Sequence, residues 1–152
     1  MKTYSYGLAL GIVLGILIVL TNVVFPNNEP DFAPGMLITA LLIGSYIIWA
    51  SYHASKNAKN KSLALKVGAF TSFIGFLIAM LTFFTIDNLF LDIVSKQADK
   101  IMAFQNSNYS SMRELVNWGL ARGLLFGTPA SAVFGLVCGF IGSKLSPSVS
   151  RK

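Results

Sequence analysis

Charged residues are scarce in this sequence. Asp, Glu, Lys and Arg make up 12% of its 152 residues, whereas soluble domains usually carry about 25%. Hydrophobic residues make up 54%, which is more apolar surface than a soluble domain of this length can cover. The composition therefore predicts one membrane domain over residues 1–152 and excludes an ordinary soluble fold.

Cysteine and histidine are almost absent. Cys138 is the only cysteine and His53 the only histidine. A single thiol excludes an internal disulfide and the redox chemistry of paired cysteines. A lone imidazole followed by lysines, with no carboxylate or cysteine nearby, is a poor metal ligand or general base. We therefore expect His53 to be an interfacial residue, and we predict no metal site and no cofactor.

Signatures of catalysis and of nucleic-acid binding are also missing. No phosphate loop, zinc motif, nucleophile elbow or carboxylate pair occurs, so we expect no enzymatic activity. The net charge is +6, but no basic patch is interleaved with exposed aromatic residues, so we expect no nucleic-acid partner. No acid or histidine lies inside an apolar run, which argues against ion-coupled transport.

Four apolar segments are present, each long enough to cross a hydrocarbon core of about 30 Å at about 1.5 Å per helical residue. We place the spans at residues 7–25, 35–52, 67–86 and 120–143. A signal peptide is the alternative for the first segment, but its apolar run is long and no small-x-small cleavage site follows it. The proline-rich residues 26–34 form a short loop before the second span.

Residues 87–111 form the only substantial segment between spans. Apolar residues recur in it at helical spacing, namely Phe90, Val94, Ala98, Ile101 and Met102. This pattern predicts an amphipathic helix on the bilayer surface or over the end of the bundle. Ser111 and Glu114 then have the spacing of a capping box, so we expect the fourth helix to begin near Met112, outside the membrane.

The charges predict the topology. Eight of the twelve basic residues lie on one side of the four spans, namely Lys2, Lys56, Lys59, Lys61, Lys66, Lys144, Arg151 and Lys152. All six acids lie on the other side. The positive-inside rule then places both termini in the cytoplasm. The predicted fold class is all-α, an integral membrane four-helix bundle with an extracytoplasmic amphipathic helix between spans three and four.

A small residue recurs at every fourth position of the last span, namely Gly119, Gly123, Gly127, Ser131, Gly135, Gly139 and Ser143. Small residues at this spacing let two membrane helices approach closely. Because such a row advances about 40° per step, we expect Gly123 and Gly135 to face two different neighbours. The first span repeats the spacing with Gly7, Gly11 and Gly15, which makes it a candidate partner of the fourth.

Pro129 lies inside the fourth span. It lacks a backbone donor and crowds the carbonyl of Leu125, so we expect a kink. The kink serves either ordinary packing or ion binding at the freed carbonyl. We favour packing, because no ionisable residue lies at that depth in any span. Hydroxyl residues such as Thr39 and Ser72 are scattered through the spans, where they can form hydrogen bonds between helices.

Arg122 and Asp87 fall near the outer ends of neighbouring spans. We predict that Arg122 either snorkels to the outer interface or forms an ion pair with Asp87 there. The alternative is that Arg122 grips an anionic headgroup or substrate.

The arrangement of spans resembles an uncharacterised bacterial family, the domain of unknown function numbered 4199. The likeness rests on Tyr6-Gly7-Leu8 with Gly11 opening the first span, on the basic loop between spans two and three, and on the amphipathic segment before a glycine-rich last span. It covers most of the chain. The resemblance implies a small bacterial inner-membrane protein with no assigned activity. The acidic span residue of small multidrug exporters and the cysteines of quinone-linked disulfide enzymes are absent.

We therefore predict a non-enzymatic, multi-pass protein of the bacterial inner membrane that acts through helix packing. It would work as a homo-oligomer or as a small accessory subunit of a membrane complex, with membrane lipid as a further partner. One alternative is a small transporter or channel that uses the kinked fourth span. Another is a lipid-binding protein whose outer helix and Arg122 recognise headgroups.

Overall fold

A computed structural model describes residues 2–24, 33–58, 60–96 and 98–146. Within these ranges the chain is helical and contains no strand, which confirms an all-α fold. The elements are α1 (Lys2–Val24), α2 (Ala33–Ala58), α3 (Lys61–Leu89), α4 (Leu91–Val94), α5 (Ala98–Gln105), α6 (Met112–Arg122), a π-helical turn (Gly123–Gly127) and α7 (Thr128–Leu145). Most of the predicted loop 26–34, Lys59 and the terminal Arg151 and Lys152 lie outside the described residues.

Three of the described helical stretches are long and apolar enough to cross a membrane, namely Leu37–Ala58, Lys61–Leu89 and Met112–Leu145. A shorter apolar stretch, Ser5–Thr21, lies in α1. In the most apolar windows of the three longer stretches, only 28%, 33% and 22% of residues are buried inside the molecule. Most of their apolar side chains therefore face outward and need an apolar surrounding, which is the pattern of a membrane protein.

Helix α3 lies at the centre of the bundle and contacts α1, α2 and α7. Each glycine in the row on α1 lies against the α3 residue 63 positions further along the chain: Gly7 on Phe70, Gly11 on Ile74 and Gly15 on Ile78. A constant offset between two helices means that they run in the same direction. Helices α1 and α3 are therefore parallel.

Helix α7 runs antiparallel to α3. As the residue number rises along the π-helical turn and α7, the number of the contacted α3 residue falls: Gly123 lies on Met80, Gly127 on Phe76, Gly135 on Gly68 and Gly139 on Ala64. Every glycine in this part of the row faces the same neighbour. Close approach is greatest at Gly135 and Gly68, where a Cβ atom on either residue would collide with the backbone of the other.

Helix α2 runs parallel to α7. Gly44 lies near Phe134, and Gly142 lies near Ile48. Helix α2 is joined to α3 by a turn in which Asn60 caps α3, because its Oδ1 atom accepts the Ser62 N–H at 3.0 Å. The four long helices therefore alternate in direction, with α1 and α3 opposed to α2 and α7.

The two ends of the bundle differ in charge. We call the end where α2 and α7 finish and α3 begins the lysine end, since it carries Lys56, Lys61 and Lys144. We call the opposite end, where α3 finishes and α6 begins, the acid end, since it carries Asp87 and Glu114.

The predicted pairing of the first span with the fourth is wrong. The glycine row of α1 lies on α3, and α3 also takes the glycine row of α7. Gly123 and Gly135 do not face two different neighbours either. Because a π-helical turn inserts about one extra residue, the rotation from Gly123 to Gly135 is about 20° instead of about 120°. The row is thereby kept on one side of the helix.

The amphipathic helix predicted within residues 87–111 is not continuous, although its predicted end near Gln105 coincides with the end of α5. Helix α3 continues to Leu89, and the rest of the segment holds two short helices, α4 and α5, followed by an irregular stretch. After α4, the Ser95 hydroxyl donates to the Asp92 carbonyl at 3.1 Å. Such local side-chain bonds compete with helix continuation. The apolar side chains of Phe90 and Met102 are exposed.

The predicted start of the fourth helix at Met112 is confirmed. The Ser111 hydroxyl accepts the Glu114 N–H at 3.2 Å, as an N-cap does. The Glu114 carboxylate reaches back to Ser110, whose N–H and hydroxyl donate to Oε2 at 2.8 and 2.7 Å. These bonds fix the chain that leads into α6.

Candidate functional site

A polar pocket of about 600 Å³ lies at the acid end. It is enclosed by the end of α5, the irregular stretch that follows and the outer side of α6. The lining residues are Ala103, Asn106, Ser107, Asn108, Tyr109, Glu114, Leu115, Trp118 and Arg122. We call it the Arg122 pocket.

Arg122 and Asp87 lie in different environments, so the predicted ion pair between them is wrong. Asp87 pairs with Lys100, with 3.3 Å between Oδ2 and Nζ. Arg122 instead donates from Nη2 to the hydroxyl of Tyr109 at 3.0 Å. Helix α5 lies near the end of α3, so that Lys100 reaches Asp87. The positions of the spans in the sequence do not predict this contact.

Arg122 therefore has an uncharged partner. Among the described residues, no carboxylate lies within 4.0 Å of its guanidinium. Glu114 lines the same pocket, but its Oε2 atom already accepts the two bonds from Ser110. The Arg122 guanidinium thus keeps donors free for a ligand that carries an anionic oxygen.

A smaller pocket of about 320 Å³ lies beside the Asp87–Lys100 pair, between the end of α3 and α6. Its other walls are mostly apolar, with Met80, Phe83 and Val116 among them. Gly119 lines this pocket, and a Cβ atom there would meet nothing within 4 Å. Within the described part of this chain, Gly119 therefore packs against no neighbouring helix, and its role in packing against a second chain stays a prediction.

A third cavity, of about 480 Å³, lies at mid-depth between the four long helices. We call it the interhelical cavity. Its lining residues are Leu14, Ile18, Thr39, Ala40, Ile43, Ser72, Phe76, Gly127, Ala130, Ser131 and Phe134. Ser131, which was predicted to be a packing residue, lines this cavity, and its hydroxyl donates to the Thr128 carbonyl at 2.7 Å.

The backbone is altered directly before Pro129. The N–H and the hydroxyl of Thr128 both donate to the Gly123 carbonyl, five residues back, the hydroxyl at 3.2 Å. In a regular α-helix the ring of Pro129 would crowd the carbonyl four residues earlier. At this point the chain forms hydrogen bonds with π-helical spacing instead of α-helical spacing. The perturbation expected from Pro129 thus takes the form of a π-helical turn between α6 and α7.

Cys138 and His53 lie apart from these pockets. Cys138 is buried against Leu14 and Ile47 in the core. The imidazole of His53 lies 4.9 Å from the Trp49 ring and 5.1 Å from the Tyr52 ring, centroid to centroid. Among the described residues, no group of three or more His, Cys, Asp or Glu side chains comes together.

Sequence reasoning identified Arg122 but missed the residues around it. Tyr109 and Trp118 carry no motif, and only the return of the chain after α5 brings Tyr109 to Arg122. The interhelical cavity was missed because Thr39 and Ser72 come from two helices whose relative rotation the sequence does not specify. An aromatic residue at the interface end of a span is the one available signal for Trp118.

Comparison with known proteins finds no matching family model, no matching curated protein and no matching solved structure. The resemblance to the four-span family described above therefore stays a prediction.

Proposed function

We propose that this chain is a four-span protein of the bacterial inner membrane with both termini in the cytoplasm. The alternating direction of α1, α2, α3 and α7 supports four crossings, because α1 lies parallel and in close register with α3. Among the described residues, the lysine end carries basic residues and no acid, whereas the acid end carries both, and this bias supports the orientation.

The topology is tested by cysteine labelling in cells. In a Cys138→Ala background, cysteines at Lys61 and Ser107 should react with a membrane-impermeant thiol reagent from opposite sides. Labelling of both positions from the same side would contradict the four-span arrangement.

Within this architecture, the function that we propose is binding of phospholipid headgroups at the Arg122 pocket, without catalysis. The main support is that the Arg122 guanidinium bonds to a neutral phenol and has no carboxylate partner within the described residues. Arginine is well suited to phosphate because its planar donors can bind two oxygens together.

The surface next to the pocket suits a lipid. Leu125 and Phe126, about one turn further along the helix, are 66% and 72% exposed. Trp118, which lines the pocket, is 48% exposed, as expected for an aromatic ring at headgroup level. A phosphate at Arg122 would therefore place its acyl chains over an apolar surface.

Packing against a second chain was the first prediction from the sequence, but its motivation is weaker in this fold. Apart from Gly119, the glycines of both rows lie against α3 of the same chain and are not available to a partner. Oligomerisation and an accessory role therefore depend on other surfaces. These hypotheses, and the transporter alternative, stay predictions.

Native mass spectrometry of the full chain, released from mild detergent, tests the proposal. Retained anionic phospholipid should fall about tenfold to a hundredfold in Arg122→Gln, since a hydrogen bond to a charged group contributes about 1.5–3 kcal/mol. Arg113→Gln is the matched control, because Arg113 is exposed on the same helix and does not line the pocket. Tyr109→Phe should give a smaller loss.

Equal lipid retention in Arg122→Gln and Arg113→Gln would overturn the headgroup proposal. If the same spectra showed the wild-type chain only as a lipid-free dimer, the packing hypothesis would replace it.

A further inference from the structure

The interhelical cavity is closed toward the lysine end. Leu14 is 1% exposed and Ile47 is fully buried, and together with Cys138 they form a core cluster. The Tyr46 hydroxyl donates to the Leu10 carbonyl at 3.2 Å, which joins α1 to α2 on this side. Beyond this contact, α1 and α2 both line the cavity.

Small side chains line the mouth of the cavity. Ala40 on α2 and Ala130 on α7 are exposed wall residues. Their surroundings are apolar, since Leu41 is 61% exposed and Val133 is 60% exposed. In a bilayer the mouth therefore opens to hydrocarbon, and a molecule that enters the cavity comes from the lipid phase.

The cavity also carries hydroxyl groups whose hydrogen bonds are incomplete. Ser72 is 4% exposed, and its side chain forms no hydrogen bond within the described residues, nor does that of Thr39. Ser131, in contrast, donates to its own helix. A hydroxyl left without a partner in apolar surroundings is unfavourable.

Among the described residues, none that lines the cavity is ionisable. A charged ligand would lose its hydration there without gaining a partner charge from these residues, so this lining favours an uncharged ligand. The rings of Phe76 and Phe134 supply apolar walls. The volume of about 480 Å³ is within the usual range of small-molecule pockets.

We propose that the interhelical cavity binds an uncharged, lipid-soluble molecule that carries a carbonyl oxygen. The Ser72 hydroxyl donates to this oxygen, and the apolar part of the molecule lies between Phe76 and Phe134. A plain acyl chain fits the apolar walls but leaves the Ser72 donor unpaired. This site is separate from the Arg122 pocket in position and in chemistry, so it does not depend on headgroup binding.

Benzophenone is a suitable probe, because it is an uncharged aromatic ketone that forms covalent adducts with nearby C–H groups under ultraviolet light. The full chain is reconstituted in phosphatidylcholine vesicles, irradiated with benzophenone and mapped by peptide mass spectrometry. We expect adducts to be concentrated at Ile43, Phe76 and Ala130 rather than spread over the exposed apolar surface.

Two variants of one helix test the location of the site. Ala130→Phe fills the cavity mouth and should remove these adducts. Val133→Phe adds the same ring on the outward side of α7 and should leave them unchanged. If gel filtration shows that Ala130→Phe does not fold, Ala40→Phe on the opposite wall replaces it as the variant that fills the cavity mouth.

The contribution of the hydroxyl is tested with Ser72→Ala. Labelling at limiting benzophenone should fall roughly two- to tenfold, as expected from one neutral hydrogen bond. An alkyl diazirine of similar size, which has no carbonyl group, should label the cavity equally in wild type and Ser72→Ala.

Two results would overturn the proposal. Uniform labelling of the apolar surface, with no enrichment at the cavity, would show that no site exists. Enrichment that is unaffected by Ser72→Ala would show that the cavity takes hydrocarbon without regard to a carbonyl group.

Discussion

The lysine end and the acid end of this bundle are packed in different ways. Toward the lysine end, glycines bring backbones together: a Cβ atom on Gly139 would lie 2.7 Å from the Ala64 carbonyl oxygen, and one on Gly142 would lie 2.8 Å from that of Ile48. Toward the acid end, Gly127 faces the ring of Phe76 instead, and Gly119 faces open space.

This difference explains where the cavities lie. Backbones that meet through glycine leave no volume between them, whereas aromatic and thioether side chains separate the helices and fill the gap incompletely. The pockets around Arg122 and beside Asp87 lie at the acid end, and the interhelical cavity lies at mid-depth. The lysine end is therefore the more tightly packed end, and the two ligand sites that we propose lie outside it.

One methyl group added at each end tests this difference in packing directly. Gly135→Ala should destabilise the protein by about 1–3 kcal/mol, because its Cβ would collide with the backbone of α3 and force the helices apart. Gly119→Ala should be neutral or stabilising by up to about 1 kcal/mol, since alanine favours the helix and meets no neighbour. Thermal unfolding in detergent measures both.

A loss of stability in Gly119→Ala as large as that in Gly135→Ala would break the comparison between the two ends. It would mean that the glycine row is packed along its whole length, as its regular spacing suggests.

The sequence was sufficient for the all-α fold and for the approximate position of each long helix. A helix in an apolar surrounding must carry apolar side chains along its length. The apolar runs in the sequence therefore locate these helices. The start of α6 was also predictable, because the cap formed by Ser111 is local and depends on residues within one turn.

The partners of the helices were not predictable in the same way. The spacing of Gly123 and Gly135 identifies a packing surface but assumes a regular α-helix, and the π-helical turn changes the direction in which Gly123 points. The partner of Asp87 depends on how α5 returns over the bundle, which no local pattern specifies. Long-range geometry determined both outcomes.

A pair of deletions tests the role of the π-helical turn in joining the two ends. If this turn contains one extra residue, deletion of Leu125 in a Pro129→Ala background should give a continuous α-helix with Gly123 still facing α3. Deletion of Val133, which is equally exposed on regular helix, should rotate the two parts of the helix by about 100° relative to each other.

We expect the Leu125 deletion to retain a folded, monodisperse protein and the Val133 deletion to lose it, as measured by gel filtration and circular dichroism. Equal tolerance of both deletions would show that the register of the glycine row does not determine the fold.

The smallest expected effect concerns the ion pair at the acid end. Lys100 and Asp87 are 30% and 24% exposed in their side chains, and partly exposed pairs contribute about 0.2–1 kcal/mol. A double-mutant cycle with Asp87→Asn and Lys100→Gln should give a coupling energy in this range that decreases with added salt. The same cycle with Arg122→Gln should give no coupling within error, because Arg122 bonds to Tyr109. Coupling of Asp87 to Arg122 instead would restore the pairing expected from the sequence and would neutralise the guanidinium on which headgroup binding depends.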